Sequence, residues 1–450
     1  MRISRPGAAA ATAAAALCWT GLAVAQTAPE PPAAEVTPEP APPAPPVTLS
    51  DQIAAGKLIL EVRGRYEGVD QTRTAALRDD AQALTVRTRF GWETAEFKGV
   101  KALVEFEDVR HVGPQAFAVN VPGAATPPLN GAARAKYPIV NDPDVTELNR
   151  AQLTWSPSAA LGLTAGRQRI LLDDQRFIGN VGWRQDEQTF DGIRADLALG
   201  RFKATYAYVG RVNRVLGEMK DWDSDSHILN ATWSPAEALR LQGFVYALDF
   251  SNSTINSSIT KGVKASGKAW LGLYQVTYDA TWANQTDWRS RTAPFDLDYK
   301  AASLAGTFDI YTARLGYESL EGDGKRGFTT PLATTHGFQG WADAWVSPGG
   351  NKSFVDGIED WNLTLNLKPR VRATWLFNAD LTARYHDFSD QRTGAALGHE
   401  WDLQAGAAIT PKLSIALKYA DFQRETTVPL GTAAPPPSRT KVWLTLEYKL

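Results

Sequence analysis

Two arginine pairs, Arg63/Arg65 and Arg87/Arg89, stand two residues apart inside segments that alternate apolar and polar residues. Side chains in a strand repeat every two residues, so each pair lies on one face. Lys101 and Arg150 fall in the same polar phase. A guanidinium grips a carboxylate through two parallel hydrogen bonds and never deprotonates, so repeated arginines on one wall offer weak, renewable contacts to an anionic chain. A lumen of one sign also concentrates the opposite ion. Glu61, Glu67, Glu93, Glu105 and Glu107 share the phase and leave a second reading open, in which cross-strand Arg–Glu pairs brace the wall and little positive charge is free.

Catalytic chemistry has less support. The histidines are His111, His227, His336, His386 and His399, and none stands in a triad or an HExxH spacing. Cys18 is the single cysteine, so the chain after it offers no disulfide, thiolate nucleophile or cysteine metal site. The expectation is a transport protein, not an enzyme, without cofactor, bound metal or nucleic-acid partner.

The elements that position these residues are strands. Leu60, Val62 and Tyr66 oppose Glu61, Arg63, Arg65 and Glu67; Leu84, Val86, Phe90 and Trp92 oppose Thr85, Arg87, Arg89 and Glu93. The last eleven residues, Thr440 to Leu450, put Val442, Leu444, Leu446, Tyr448 and Leu450 on one face and Lys441, Trp443, Thr445, Glu447 and Lys449 on the other. At roughly 3.3 Å per residue and a tilt of about 45°, eleven residues rise about 25 Å, the height of an outer-membrane apolar band.

Arg2 and Arg5, the apolar stretch Ala8–Leu22 and Ala23-Val24-Ala25 form the three regions of a secretory signal peptide over residues 1–25. Without Arg2 and Arg5 the 47 basic residues become 45 against 49 acidic ones, a net charge of −4. No second long apolar run exists, so an exported chain that spans a membrane must do so as a closed barrel. Residues 26–56, rich in Pro and Ala, are expected to form a disordered periplasmic tail before a barrel over 57–450.

Connections alternate in length. Short turns are expected at Lys98-Gly99, Ser156-Pro157, Leu199-Gly200, Ser234-Pro235, Asp309-Ile310, Lys368-Pro369 and Thr410-Pro411, and long loops near 112–145, 173–186, 214–223, 251–258, 288–298, 322–356, 388–396 and 425–439. Trp155-Ser156-Pro157 and Trp233-Ser234-Pro235 repeat one turn below a tryptophan girdle. Alternating segments number seventeen; both ends of such a chain belong in the periplasm, and 258–288 is too long for one strand. A turn near Lys268 to Leu271 divides it and gives an all-β, antiparallel transmembrane barrel of about eighteen strands.

Two segments resemble the alginate export family of outer-membrane barrels. One runs from Gly166-Arg167-Gln168-Arg169 through Arg176 and Trp183-Arg184-Gln185 to Phe190-Asp191-Gly192-Ile193-Arg194. The other is Phe328 to Asp343, containing Thr335-His336-Gly337-Phe338 and Gly340-Trp341-Ala342-Asp343, with Pro348 and Gly357-Ile358-Glu359-Asp360 after it. Tyr385-His386-Asp387-Phe388 and Gly398-His399-Glu400-Trp401-Asp402 add to it.

The resemblance implies an eighteen-stranded channel in the bacterial outer membrane, in contact with its lipid. Its implied partner is an alginate-like anionic polysaccharide or an acidic oligosaccharide, with a general porin for small hydrophilic solutes as the alternative. Arg167, Arg169 and Arg194 lie in the matched segment and are expected to face inward, since a cation on the lipid face at mid-depth costs roughly 2–4 kcal/mol. Loop 322–356 is too long for a simple connection and is expected to fold inward as a constriction carrying His336, Trp341, Asp343 and Asp360. Loop 112–145, with its six prolines, is expected to act as an outer lid.

Overall fold

The alternation from Leu58 to the C-terminus is realised as a single antiparallel sheet that closes on itself. The computed structural model describes residues 48–72, 78–119, 127–291, 293–346, 354–371, 376–427 and 434–450. Among these, eighteen strands follow one another: β1 (Lys57–Gln71), β2 (Asp80–Glu93), β3 (Val100–Ala116), β4 (Val145–Ser158), β5 (Leu161–Gln168), β6 (Thr189–Leu199), β7 (Phe202–Asn213), β8 (Trp222–Ala236), β9 (Leu239–Leu248), β10 (Ser258–Leu271), β11 (Tyr274–Thr286), β12 (Asp296–Phe308), β13 (Tyr311–Glu321), β14 (Gly357–Leu367), β15 (Phe377–Asp390), β16 (Ala396–Thr410), β17 (Leu413–Arg424) and β18 (Arg439–Lys449). Each pairs with its neighbours in sequence. Closure comes from β1 and β18, with Val62 opposite Tyr448 and Gly68 opposite Val442.

The barrel is inside out relative to a soluble protein. Leu153 on its outer face is 58 % exposed and Leu444 is 46 % exposed, whereas the inward Arg87 and Glu107 are at 1 % and 0 %. A soluble sandwich would bury the first pair and expose the second; a membrane barrel does this instead. Among the described residues no helix is long and apolar enough to cross a membrane.

The expected signal peptide, 1–25, and most of the expected tail lie outside the described residues. Residues 48–56, at the end of that expected tail, are described. Thr48 caps a short helix, α1 (Leu49–Ala54): the Asp51 amide donates to its hydroxyl at 3.3 Å, and the Thr48 amide donates to the Asp51 carboxylate at 2.8 Å. The Trp92 indole then donates to the Ile53 carbonyl at 2.9 Å and docks the helix on β2.

Lys98 and Gly99, at φ +52° and +81°, form a two-residue reversal between the bridged Phe97 and Val100. The turn that divides 258–288 falls at 272–273, just past the expected Lys268–Leu271, with Gly272 at φ +63°. The two Trp-Ser-Pro segments are not turns. Pro157 and Pro235 lie inside β4 and β8, and the chain reverses at 159–160 and 237–238. The register shifts between Trp155 and Ser158 and between Trp233 and Ala236, because a proline cannot donate to the ladder and is taken up in a bulge. The connection 368–376 is longer than the reversal expected at Lys368-Pro369.

Candidate functional site

Loop 169–188 and the described residues of loop 322–356 fold into the lumen and meet there. A parallel bridge joins Ile178 to Leu332, and the Gly179 amide donates to the Leu332 carbonyl at 2.8 Å. Their apolar residues pack on inward aromatics of the wall. Phe177 lies 5.1 Å from Phe244 and 5.2 Å from Tyr299; Trp345 lies 5.3 Å from Phe388 and 5.5 Å from Phe422. Burying side chains of this size stabilises the plug by about 1.5–3 kcal/mol each.

Arg184 is the joint between plug and wall. Its guanidinium bonds Glu67 of β1 at 2.9 Å and Asp343 of the second loop at 3.3 Å. Lys441 of β18 reaches the same carboxylates at 3.3 and 3.6 Å. Arg176 pairs with Glu318 of β13 and donates to Thr330 at 2.9 Å. His336 stacks on Trp183 with ring centres 4.0 Å apart and planes within 2°. Its Nδ1 lies 3.2 Å from Asp343 and its Nε2 2.9 Å from the Lys418 ammonium. Burial, and then Lys418, hold this histidine well below its ordinary pKa. The ring is therefore neutral, donating to Asp343 and accepting from Lys418.

The described residues of loop 322–356 pack inside the barrel. His336, Trp341 and Asp343 sit together in the plug, with Trp341 lying 3.6 Å from the Lys418 ammonium. Asp360 does not belong to the loop. It is on β14 and holds His386 of β15 at 2.8 Å, a wall contact set by the Asn362–His386 register. The described part of loop 117–144 packs Phe117 and Val140 on Val69, Ala81 and Ala83, inside the long-loop rim, and its Asp142 accepts from the Gln185 amide at 2.9 Å.

Most of the expected cations face the lumen, already paired. Arg87 lies 3.1 Å from Glu447 and 3.3 Å from Glu61; Arg89 bonds Glu107 and lies 3.2 Å from Glu187. Arg150 grips Glu105 with two bonds of 2.9 and 2.6 Å, Arg169 bonds Glu187 at 2.6 Å, and Arg194 bonds Asp196 at 2.7 Å. For these five the bracing reading describes the geometry. Lys101 is exposed near the short-turn end of β3, in phase with Glu105. Arg167 faces outward, against expectation. Thr154 and Thr164 pair inward, which places Arg167 three residues on in the opposite phase, and Asp191 neutralises it through bonds of 2.7 and 2.9 Å.

Arg63 and Arg65 differ from the rest: their bonds go to neutral acceptors. Arg63 donates to Gln185 Oε1 at 2.8 Å, to the Gly182 carbonyl at 3.0 Å and to the Arg184 carbonyl. Arg65 donates to the Trp183 carbonyl and to Thr445 at 3.2 Å, and stacks 4.0 Å over the Trp183 ring.

A cavity of about 620 Å³ lies on the long-loop side of the plug. Five cations line it (Arg184, Arg214, Lys220, Arg439 and Lys441) against two carboxylates, Asp221 and Asp343, with Trp183 and Trp222 in its walls. Burial lowers the Arg214 pKa to about 10, still charged at neutral pH. A second cavity of about 420 Å³, lined by Asp173, Asp174, Arg240 and Lys264 among others, lies towards the short turns.

The plug's second half, loop 169–188, was not expected in the lumen. A signal existed: Trp443 occupies the inward phase of β18 and is fully buried, and a water-filled lumen gives a tryptophan there nothing to pack on.

A closed eighteen-strand barrel, apolar outside, charged inside and filled by two of its own loops, is the architecture of an outer-membrane channel. The sequence model of the alginate export family matches residues 57–322, more than half of the chain, and the chain belongs to that family. The match stops short of the Phe328–Asp343 segment. The protein resides in the bacterial outer membrane. Among solved structures it resembles Pseudomonas aeruginosa OccK9 (OpdG), at 14 % identity over 89 % of this chain and 100 % of that one, TM-score 0.65. It also resembles Acinetobacter baumannii OccAB2 (15 %, 89 % and 99 %, 0.65) and P. aeruginosa OpdK solved with vanillate (12 %, 88 % and 99 %, 0.62). No curated protein matches the sequence.

Proposed function

We propose that this channel passes acidic sugars: uronates and their short oligomers, the monomer class of an alginate-like polysaccharide. The observation that carries the reading is the cavity above the plug, where five cations to two carboxylates stand beside two indole rings. Aromatic faces take the apolar side of a sugar ring and guanidinium groups take its carboxylate. Arg63, Arg65, Arg87, Arg89, Lys101, Arg150, Arg169 and Arg194 line the path below and near it; the two with neutral partners are the ones a solute carboxylate engages most readily. The dense plug favours short oligomers over a long polymer. OpdK was solved with vanillate, a ring bearing one carboxylate, and a ligand of that chemistry suits the same cavity.

A general porin for small hydrophilic solutes is the second reading, favoured by the internal neutralisation of Arg87, Arg89 and Arg150. Swelling of liposomes carrying the barrel separates the two. In iso-osmotic glucuronate the rate is expected to exceed that in glucose; equal rates would establish the general porin.

A further inference from the structure

Every arginine described above on the inner wall of β2, β4 and β6 has a carboxylate partner, but Arg63 and Arg65 of β1 spend their donors on the main chain of the plug. Together they take the carbonyls of three consecutive residues, Gly182, Trp183 and Arg184, and the Gln185 amide oxygen. Both arginines are buried, at 6 % and 2 % exposure. The segment they hold is also the cavity's inner wall, since Val181, Trp183 and Arg184 line it. A solute in the cavity is thus one layer of chain from two guanidinium groups whose hydrogen bonds described above go to neutral acceptors.

A carboxylate is the better acceptor. A carbonyl offers a guanidinium only a dipole, whereas a carboxylate offers an opposite charge, and the guanidinium fork fits a carboxylate in a bidentate way that two separate carbonyls do not reproduce. The held segment is also strained: Val181 has φ +53°, a left-handed conformation that a β-branched residue adopts only under constraint. Lys441 and Arg439, on the neighbouring β18 and lining the cavity, draw an anion to that wall.

We infer that Arg63 and Arg65 form a ligand-exchange latch: a carboxylate of the entering solute replaces the carbonyls of 182–184 on these arginines and releases that segment of the plug. This rests on the acidic-sugar reading and adds to it that the solute opens its own path.

The test uses the full-length barrel with Cys18→Ser and a reporter, Gly182→Cys. The atoms nearest a β-carbon at Gly182 belong to the Asn180 side chain, at 3.1 Å, which has to give by only a few tenths of an ångström. Maleimide labelling of the reporter is followed with trigalacturonate, with maltotriose and with neither. Labelling is expected to accelerate about tenfold with trigalacturonate and not with maltotriose. Unchanged labelling overturns the latch, as does equal acceleration by the neutral sugar. Liposome swelling in trigalacturonate, run alongside, shows which idea has failed: entry without faster labelling removes the latch alone, and no entry removes the acidic-sugar reading with it. The paired change Arg63→Lys and Arg65→Lys keeps the charge but lacks the fork. In that background the reporter is expected to label fast without ligand and to ignore trigalacturonate; slow labelling in a barrel of normal heat-modifiable migration would also overturn the latch.

Discussion

Replacing Arg184 by alanine tests whether the plug is held by charge at one joint. The side chain ties loop 169–188 to Glu67 at 2.9 Å and to Asp343 at 3.3 Å, with Asp142 at 3.9 Å. Removing one partner of a buried ion pair costs about 3–5 kcal/mol, because the other charge is stranded. Here Lys441 remains 3.3 Å from Glu67 and 3.6 Å from Asp343 and relieves part of that, so the lower figure, about 3 kcal/mol, applies. At about 1.4 kcal/mol per decade, the population with the plug displaced rises roughly 100-fold. Single-channel recording in planar bilayers reads this directly, as frequent entry into a larger-conductance state that the unaltered barrel visits rarely. An Arg184→Ala barrel with the same conductance histogram and the same open-channel noise would refute the reasoning.

Acid is expected to loosen the plug. His336 faces Asp343, Lys418 and Arg184 and has a folded pKa below its unfolded value, so its contribution is complete above about pH 6.5 and is lost as pH falls below that; conductance steps should grow from pH 7.5 to 5, and His336→Gln should flatten that dependence. Asp186 behaves oppositely: burial, then Glu147 and Glu107, raise its carboxyl well above the usual range, so its contribution is lost as pH rises through the folded pKa. Asp186→Asn should therefore raise the unfolding temperature at pH 8, read by heat-modifiable migration, and a lower temperature would count against a protonated carboxyl. Leu446→Arg puts a cation on the membrane face of β18 and should cost up to about 2–4 kcal/mol of folding free energy, measured by urea titration in lipid vesicles; an unchanged midpoint would mean that this face does not meet lipid.

How the chain divides between legible and hidden follows from what each feature depends on. The wall is local: period-two alternation in segments such as Leu60–Glu67 and Thr440–Leu450 fixes strand and face from neighbours in sequence alone. Pro157 and Pro235 misled because a Pro after a strand reads as a turn, while a bulge two residues before the reversal accommodates it equally well. Arg167 misled because its inward assignment assumed a bare charge on the outer face, and Asp191 removes that charge from the next strand. The plug is the least local part. Ile178 meets Leu332, and Arg184 meets Glu67 and Asp343, across separations of more than a hundred residues that no spacing rule links. The length of 322–356 announced one half; the inward Trp443 was the clue to a filled lumen.

The central claim, a channel whose interior favours acidic sugars, meets its most direct test in a bi-ionic reversal potential, with the chloride of a bulky, poorly permeant cation such as N-methylglucamine on one side of a bilayer holding the barrel and its galacturonate on the other. Galacturonate is predicted to carry current, with a permeability comparable to that of chloride, and to keep the reversal potential near zero. A potential close to that of an uronate-impermeant, chloride-conducting pore would contradict the claim.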